Sequence, residues 1–248
     1  MIVLGLETAT NVCGVALVDD DRVLAEFSTA GRLTHSQRLM PLVEQALGEA
    51  GIDRGRLDGI AVSAGPGSFT GLRIGLATAK GLGYALDRPV LAVPTLDALA
   101  FNVWAWPGLI CPLLDARKDQ VYAALYRGSP PTGGRSLRRL GGYWAMDLGA
   151  LLERLSAFNE AVLFLGDALP RYGPGIAERL GAKAHFVPVS GRFPRAAAVA
   201  ELGLRRLAAG RRPGAAEARP IYVRQSEAEV KARARARARR AATNDGSR

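Results

Sequence analysis

Residues 58–95 read DGIAVSAGPGSFTGLRIGLATAKGLGYALDRPVLAVPT, and the fold follows from this stretch. It opens with an apolar run at 60–64 and continues through the glycine-rich turn GPGSFTG at 65–71. Helical spacing then runs to about residue 86, and a second apolar run follows at 90–93. Strand, tight turn, helix and strand in this order form one βαβ unit, so the sequence predicts a parallel sheet.

The predicted helix carries a small residue at every fourth position. These residues are Gly71, Gly75, Ala79 and Gly83. Positions four apart lie on one face of a helix, and each glycine costs a helix about 1 kcal/mol relative to alanine. Such a stripe lets another backbone approach closely. Two interpretations stay open, because the stripe can pack on the chain's own sheet or receive the helix of a partner protein.

The glycine-rich turn also precedes a helix N-terminus, where a phosphate can bind. Gly65 and Gly67 are therefore candidate cofactor-binding residues. The turn does not match a P-loop, because Leu72 stands where that motif needs lysine. It does not match the dinucleotide fingerprint either, because the third glycine comes one residue late. A tight strand-to-helix turn is the favoured interpretation.

Composition indicates a globular protein with an unusually basic end. The 248 residues carry a net charge of +10, of which residues 225–248 supply +4. Within it, residues 231–240 alternate alanine with lysine or arginine, which favours a disordered tail over contact with RNA phosphates. Cysteines in apolar runs and the lack of a basic leader fit a cytoplasmic protein. The uncharged run 98–114 contains prolines and is shorter than the about 20 residues of a membrane span.

The order strand, strand, strand, helix, strand, helix, strand occurs twice along the chain. This predicts an α/β protein with the two-lobed actin-like ATPase (ASKHA) fold, in which each lobe is a mixed sheet with flanking helices. The N-terminal lobe spans 1–102 and the C-terminal lobe 103–224. A last helix at about 195–209 is expected to pack back on the first lobe. The second lobe is predicted to contain strands at 109–115, 120–126, 137–146, 162–165 and 183–187 and helices at 148–158 and 170–180.

Active members of this superfold end their first strand with an aspartate and a glycine-rich phosphate hairpin. This chain has Glu7 there, followed by Thr8 and a turn without glycine. Glu7 and Thr8 are candidates for a cofactor contact, but a turn that a ligand cannot approach closely is a poor phosphate cradle. The favoured interpretation is a strand-end carboxylate in a polar turn. We predict no catalytic residue and no tightly bound cofactor.

His35 lies at the start of an amphipathic helix predicted at 34–50, which Thr34 and Gln37 can cap as a pair. Leu39 stands four residues later, and the other histidine, His185, is far away in the sequence. A single histidine without a nearby thiolate or imidazole is a poor transition-metal ligand. We therefore predict no metal site and interpret His35 as a hydrogen-bonding residue at the helix start.

Several motifs together resemble the TsaB family. The most specific is GPGSFTGLRIG at 65–75. The others are LGLETATNVCGVAL at 4–17, HSQRLMPLVEQAL at 35–47, PTLDALA at 94–100, PLLDARKDQVYAALY at 112–126 and PIYVR at 220–224. The resemblance covers most of residues 1–224 and says nothing about the basic tail.

This resemblance implies a non-catalytic subunit that is a homodimer when alone and that pairs with TsaD, joined by TsaE. The complex transfers a threonylcarbamoyl group to N6 of the tRNA adenosine 3′ of the anticodon, and nucleotide can bind at a subunit junction. Helices 34–50 and 71–86 would form the partner-binding face. Its residues would be His35, Leu39, Val43, Gly71, Arg73, Gly75, Ala79 and Gly83. An active kinase or ATPase of the same superfold, or a peptidase, is the alternative.

Overall fold

A computed structural model describes residues 1–20, 22–128 and 137–224. It has the mixed α/β architecture predicted from the sequence, with one sheet of five strands and one of seven. The basic segment 225–248 lies outside the described residues, so its predicted disorder stays a prediction. Among the helices that the structure describes, none is long and apolar enough to cross a membrane.

The first sheet is built from residues of the N-terminal part of the chain. Its strands are β1 (Val3–Glu7), β2 (Cys13–Val18), β3 (Val23–Thr29), β4 (Gly59–Ser63) and β5 (Val90–Val93). They lie in the order β3-β2-β1-β4-β5. The first three strands pair antiparallel, whereas β1, β4 and β5 run parallel. The parallel pair predicted from the βαβ unit is thereby confirmed.

The second sheet follows the same plan with extra strands. Its strands are β6 (Leu109–Arg117), β7 (Gln120–Ala123), β8 (Tyr126–Gly128), β9 (Leu137–Arg139), β10 (Trp144–Asp147), β11 (Val162–Leu165) and β12 (Ala184–Phe186). The main path is β10-β7-β6-β11-β12, and β8 pairs with both β6 and β9.

Two strands predicted as continuous are each broken into two. The predicted strand 120–126 is interrupted after Ala123, where it passes Pro112 of β6. Proline has no N–H to donate, so the ladder between the strands is lost there. The predicted strand 137–146 breaks at Gly141, whose φ of 110° turns the backbone out of the extended region.

Six helices flank the two sheets in the described parts of the chain. They are α1 (His35–Ala50), α2 (Phe69–Ala85), α3 (Thr95–Phe101), α4 (Leu148–Ser156), α5 (Leu169–Leu180) and α6 (Ala196–Ala208). At the start of α1, the Thr34 amide donates to Gln37 Oε1 at 3.0 Å, as a capping pair requires. Gly51 ends α1 with a φ of 63°, and the Ser68 hydroxyl accepts the Gly71 amide at the start of α2.

Both faces of the first sheet are covered. One apolar cluster lies under α1 and α2, and another lies under α6. Helix α6 approaches the sheet so closely that a side chain at Gly5 would collide with the carbonyl of Ala196. A side chain at Gly203 would likewise collide with Ala61. Helix α6, which comes last of the six described helices in the sequence, therefore completes the core of the N-terminal sheet.

Candidate functional site

Glu7 lies at the end of β1, the position that carries an acidic residue in active members of the superfold. Its side chain is 0% exposed. One carboxylate oxygen accepts the Ala9 amide at 2.6 Å, and the other accepts the Ser63 hydroxyl. Burial raises the pKa of the carboxyl to about 7, because desolvation outweighs the two hydrogen bonds that favour the charged form. Both oxygens are therefore engaged by the chain itself.

The turn after Glu7 is held by the glycine-rich loop. The Ser68 amide donates to the Ala9 carbonyl at 2.7 Å, and the Thr8 hydroxyl donates to the Gly71 carbonyl at 2.8 Å. A side chain at Gly67 would collide with Ala9. Gly67 thus leaves room for the chain's own turn, which packs directly against the glycine-rich loop.

Gly65 serves a similar close approach on the other side of the loop. Its φ is 110°, and a Cβ there would lie 2.7 Å from the Ile221 carbonyl oxygen. The Ile221 amide donates to the Ala64 carbonyl at 2.7 Å, and the Gly65 amide donates to the Thr95 hydroxyl at 3.0 Å. The two glycines that were candidates for cofactor binding therefore admit backbone of the same chain.

Asp115 occupies the matching position near the end of β6, the first strand of the second sheet. Its side chain accepts the Arg117 amide at 2.7 Å, and its own amide donates to the Asp167 carboxylate at 3.0 Å. Burial, together with the negative charge of Asp115, raises the pKa of Asp167. Asp115 itself is exposed.

A cleft of about 570 Å³ separates the two turns. Asp115 and Asp167 line it from the second half of the chain, together with the guanidiniums of Arg117 and Arg224. The two carboxylates and the two arginines balance in charge, and the Ala9 amide at the other wall is already bound to Glu7. That amide is therefore not free to bind a phosphate. Within the described ranges, no group of three His, Cys, Asp or Glu side chains is placed to hold a metal ion.

The small-residue stripe of α2 faces the chain's own sheet. A side chain at Gly71 or Gly75 would collide with Thr8, and one at Gly83 would collide with Val90. Ala79 is fully buried. Of the two interpretations, packing on the chain's own sheet is therefore the one observed. The prediction that these four residues contact a partner is corrected, because the sheet and the turn after β1 already fill the space beside them.

Two of the three predicted partner-binding residues of α1 are also buried. Leu39 and Val43 are each 1% exposed and belong to the core under α1 and α2. Their assignment to a partner surface is corrected for that reason. His35 is half-buried, and its Nε2 lies 2.9 Å from the Thr10 carbonyl oxygen, which is the hydrogen-bonding role predicted for it. Arg73 of α2 is exposed, and its guanidinium lies 3.9 Å from the centre of the Phe69 ring.

The opposite side of α2 is open to solvent, and we call it the outer face. Its residues are Phe69, Arg73, Ala77, Gly81 and Tyr84. Tyr84 is 87% exposed and Phe69 is 37% exposed, and a Cβ at Gly81 would meet no heavy atom within 4 Å. Met40 of the neighbouring helix α1 is also exposed. Two aromatic rings therefore flank two positions that lack bulk.

Several residues of the site were missed in the sequence. Ser63 lies 56 positions from Glu7 along the chain, so no local pattern joins them. The Tyr222 ring lies 5.6 Å from that of Phe69, and Arg224 Nη1 donates to Gln120 Oε1 at 3.0 Å. The motif PIYVR contains both Tyr222 and Arg224, and the repeated strand order could have paired Asp115 with Glu7.

Comparison with known proteins gives concordant matches. The family model "TsaD: tRNA N6-adenosine threonylcarbamoyltransferase" matches residues 23–231. The Bacillus subtilis tRNA threonylcarbamoyladenosine biosynthesis protein TsaB is 36% identical over 230 residues, which cover 93% of this chain and 97% of that protein.

Solved structures show the same relationship. A Pseudomonas aeruginosa protein with similarity to peptidase YeaZ superposes with a TM-score of 0.75 at 31% identity, covering 90% of this chain and 99% of that one. Component A of the Acidaminococcus fermentans (R)-2-hydroxyglutaryl-CoA dehydratase has a TM-score of 0.51 at 10% identity and covers 84% of this chain and 99% of its own, which shows a shared fold alone. These matches confirm the resemblance predicted from the sequence motifs, and the chain belongs to the TsaB family of tRNA threonylcarbamoyladenosine biosynthesis proteins.

Proposed function

We propose that the chain is a docking subunit without an active centre of its own. It binds TsaD, joined by TsaE, for transfer of the threonylcarbamoyl group to N6 of the tRNA adenosine 3′ of the anticodon. The observation that carries this proposal is the closed turn after β1. Glu7 is bound to Ser63 and Ala9, so the strand end that would serve a phosphate or metal is used for folding.

The outer face of α2 is the proposed contact with TsaD. Exposed tyrosine and phenylalanine side chains are frequent anchors at protein interfaces. Ala77 and Gly81 lie between Phe69 and Tyr84 and leave room for a partner helix to approach within the usual 8–10 Å between axes. The same face would join two copies when TsaD is absent. The surface of the folded chain thus replaces the buried stripe as the site of docking.

The peptidase alternative needs an activated nucleophile, and the serines in and beside the glycine-rich turn are Ser63 and Ser68. Ser63 is fully buried and donates to Glu7, so it cannot reach a peptide bond. The Ser68 hydroxyl accepts the Gly71 amide as a helix cap. The kinase or ATPase alternative requires backbone amides that are free to bind phosphate at the turn after β1, where the Ala9 amide is bound to Glu7. Both observations favour the docking role.

The proposal is tested by adding bulk to the outer face. Ala77→Leu places a larger side chain at an exposed position of α2, and Ala177→Leu makes the same change at an exposed position of α5. Overpacking an interface costs about 1–3 kcal/mol, so Ala77→Leu is expected to weaken TsaD binding about tenfold or more. Calorimetric titration with TsaD of the same organism measures this, and the melting temperature of both variants should stay at the wild-type value.

Equal TsaD affinity for the two variants would contradict the outer face as the docking site. Failure of the wild-type chain to bind TsaD at any concentration would contradict the docking function itself. A lowered melting temperature for Ala77→Leu would show that this position is packed within the fold.

A further inference from the structure

An arginine-rich stretch follows the middle of α6. Residues 205–219 contain five arginines and one glutamate, a net charge of +4. They are Arg205, Arg206, Arg211, Arg212, Arg219 and Glu217. Positive charge outside the basic tail is therefore concentrated in 15 consecutive residues of the sequence. Such a concentration requires an explanation in the fold or in a ligand.

The fold gathers three of these arginines around one cavity. Helix α6 ends at Ala208, and Gly210 turns the chain with a φ of 80°. The Val90 amide then donates to the Pro213 carbonyl at 3.2 Å, which ties the segment to the edge strand β5. Arg206, Arg211 and Arg212 line the resulting cavity of about 500 Å³ beside β5.

The arginines inside α6 have partners within the chain. Arg205 pairs with Glu201 one turn earlier at 2.9 Å. Arg206 Nη1 donates to the Ala92 carbonyl at 2.5 Å. Both also lie in the last turn of α6, where a positive charge is favoured by the helix dipole. Folding therefore accounts for the charge of these two residues.

The positive charges of Arg211 and Arg212 are not explained by folding in this way. Both are exposed, and across the parts of the chain that the structure describes neither guanidinium has a hydrogen bond or an ion pair. They lie beyond the last turn of α6, where the helix dipole falls off. The acidic side chain at the cavity, that of Glu217, already accepts the Gly214 amide at 2.8 Å. Two exposed arginines without a side-chain partner among the described residues thus line the cavity.

We propose that Arg211 and Arg212 bind the phosphate backbone of tRNA; we call this pair the arginine surface. The inference rests on the proposed function, because tRNA reaches the chain through the TsaD complex. Guanidinium groups bind phosphate oxygens in a bidentate, charge-assisted geometry. Contacts of this kind set the position of an RNA and carry no sequence information. The arginine surface would orient tRNA, while TsaD selects the adenosine.

The test compares two double variants that lose the same charge. Arg211→Ala/Arg212→Ala removes the exposed pair, and Arg154→Ala/Arg179→Ala removes two exposed arginines from α4 and α5. Binding of a labelled, unmodified tRNA transcript is measured by fluorescence anisotropy between about 50 and 200 mM NaCl. Each full-length chain is measured alone and in complex with TsaD, and its affinity for TsaD is recorded in parallel.

The Arg211→Ala/Arg212→Ala variant is expected to bind tRNA about tenfold more weakly at the lowest salt. The slope of log affinity against log salt should flatten by about 1–2, since each lost phosphate contact lowers it by about 0.7–0.9. The control pair should retain the wild-type affinity and slope. Equal behaviour of the two variants would overturn the inference.

Loss of TsaD affinity with unchanged tRNA binding would overturn it as well, because the arginines would then form a protein contact. The measurement on the free chain separates this inference from the docking proposal. If wild-type chain fails to bind TsaD but the free variant still loses tRNA affinity and salt dependence, the arginine surface stands and the docking function falls.

Discussion

The turns after β1 and β6 occupy matching places in the two halves of the molecule, and the same kind of hydrogen bond occurs in each. In each, a carboxylate near the strand end accepts the amide two residues later, Ala9 to Glu7 at 2.6 Å and Arg117 to Asp115 at 2.7 Å. Burial separates them, since Glu7 is 0% exposed and Asp115 is exposed. The local bond is a property of the strand end, whereas burial depends on what packs over it.

The two turns are also stabilised by different means. The first is covered by the glycine-rich loop, whose Gly67 and Gly71 supply the room that its backbone needs. The second contains three consecutive non-glycine residues with positive φ, at 60° for Arg117, 51° for Lys118 and 58° for Asp119. This conformation is uncommon for residues with a Cβ. The first turn therefore belongs to the core, and the second is a surface hairpin.

The largest expected effect comes from forcing the first turn open. Gly75→Leu places a side chain against the Thr8 hydroxyl and Val62. We expect a loss of about 3 kcal/mol or more in the free energy of unfolding, at the upper end for overpacking. Gly81→Leu on the outer face, where a Cβ meets nothing within 4 Å, is the control and should melt slightly above the wild-type temperature, because a glycine within a helix costs about 1 kcal/mol. Thermal unfolding of both variants measures the difference, and equal melting temperatures would place the stripe outside the core.

A smaller effect is expected from pH, and it distinguishes the two carboxylates. The folded-state pKa of Glu7 is about 7, above the ordinary value of 4.5, so the folded state holds more protons between these values. Stability should therefore fall as pH rises through this window, by about 2 kcal/mol from about pH 5 to about pH 8.

Glu7→Gln, which cannot ionise, should remove this part of the pH dependence, and its melting temperature should gain on the wild type as pH rises. Asp115→Asn is the matched variant at the exposed turn and should leave most of the fall between about pH 5 and about pH 8 in place. Thermal melts across the pH range measure both. A wild-type pH profile in Glu7→Gln would show that Glu7 titrates at its ordinary value.

The smallest effect is expected at the tip of the second turn. Arg171 pairs there with Asp119, which is 83% exposed. Exposed ion pairs contribute about 0.2–1 kcal/mol, so Asp119→Asn should lower the melting temperature by no more than about 4 °C. Repeating the melt at high salt should erase the difference, because salt screens surface charges. A larger loss that survives salt would place this turn in the core as well.

Much of the architecture could be predicted from local patterns in the sequence. The run 58–95 predicted the parallel pair β4 and β5, and the repeated order of strands and helices predicted two sheets. What the stripe of α2 packs against could not be predicted from these patterns. A helix with small residues on one side can pack on its own sheet or on a partner, and the sequence pattern is the same in both cases. The positions of Thr8 and Val90 beside the stripe in the folded chain decide between them.

The candidate site was less predictable for the same reason. Glu7 and the glycine-rich loop were singled out, but their partners Ser63 and Ile221 are distant in sequence. Hydrogen bonds between such positions depend on how the sheet is assembled. The break opposite Pro112, by contrast, follows from a single residue type and could have been predicted.

The position of α6 in the sequence also determines when the first sheet can be covered during synthesis on the ribosome. The strands of the first sheet are complete at Val93, but the helix that covers one of its faces begins at Ala196, 103 residues later. At about 5–20 residues per second, synthesis leaves that face uncovered for roughly 5–20 s. Val3, Ala61 and Leu91 point into the core under α6, so the nascent chain presents an apolar sheet surface during this interval. A polypeptide released before residue 196 would keep this surface and be a substrate for chaperones and proteases.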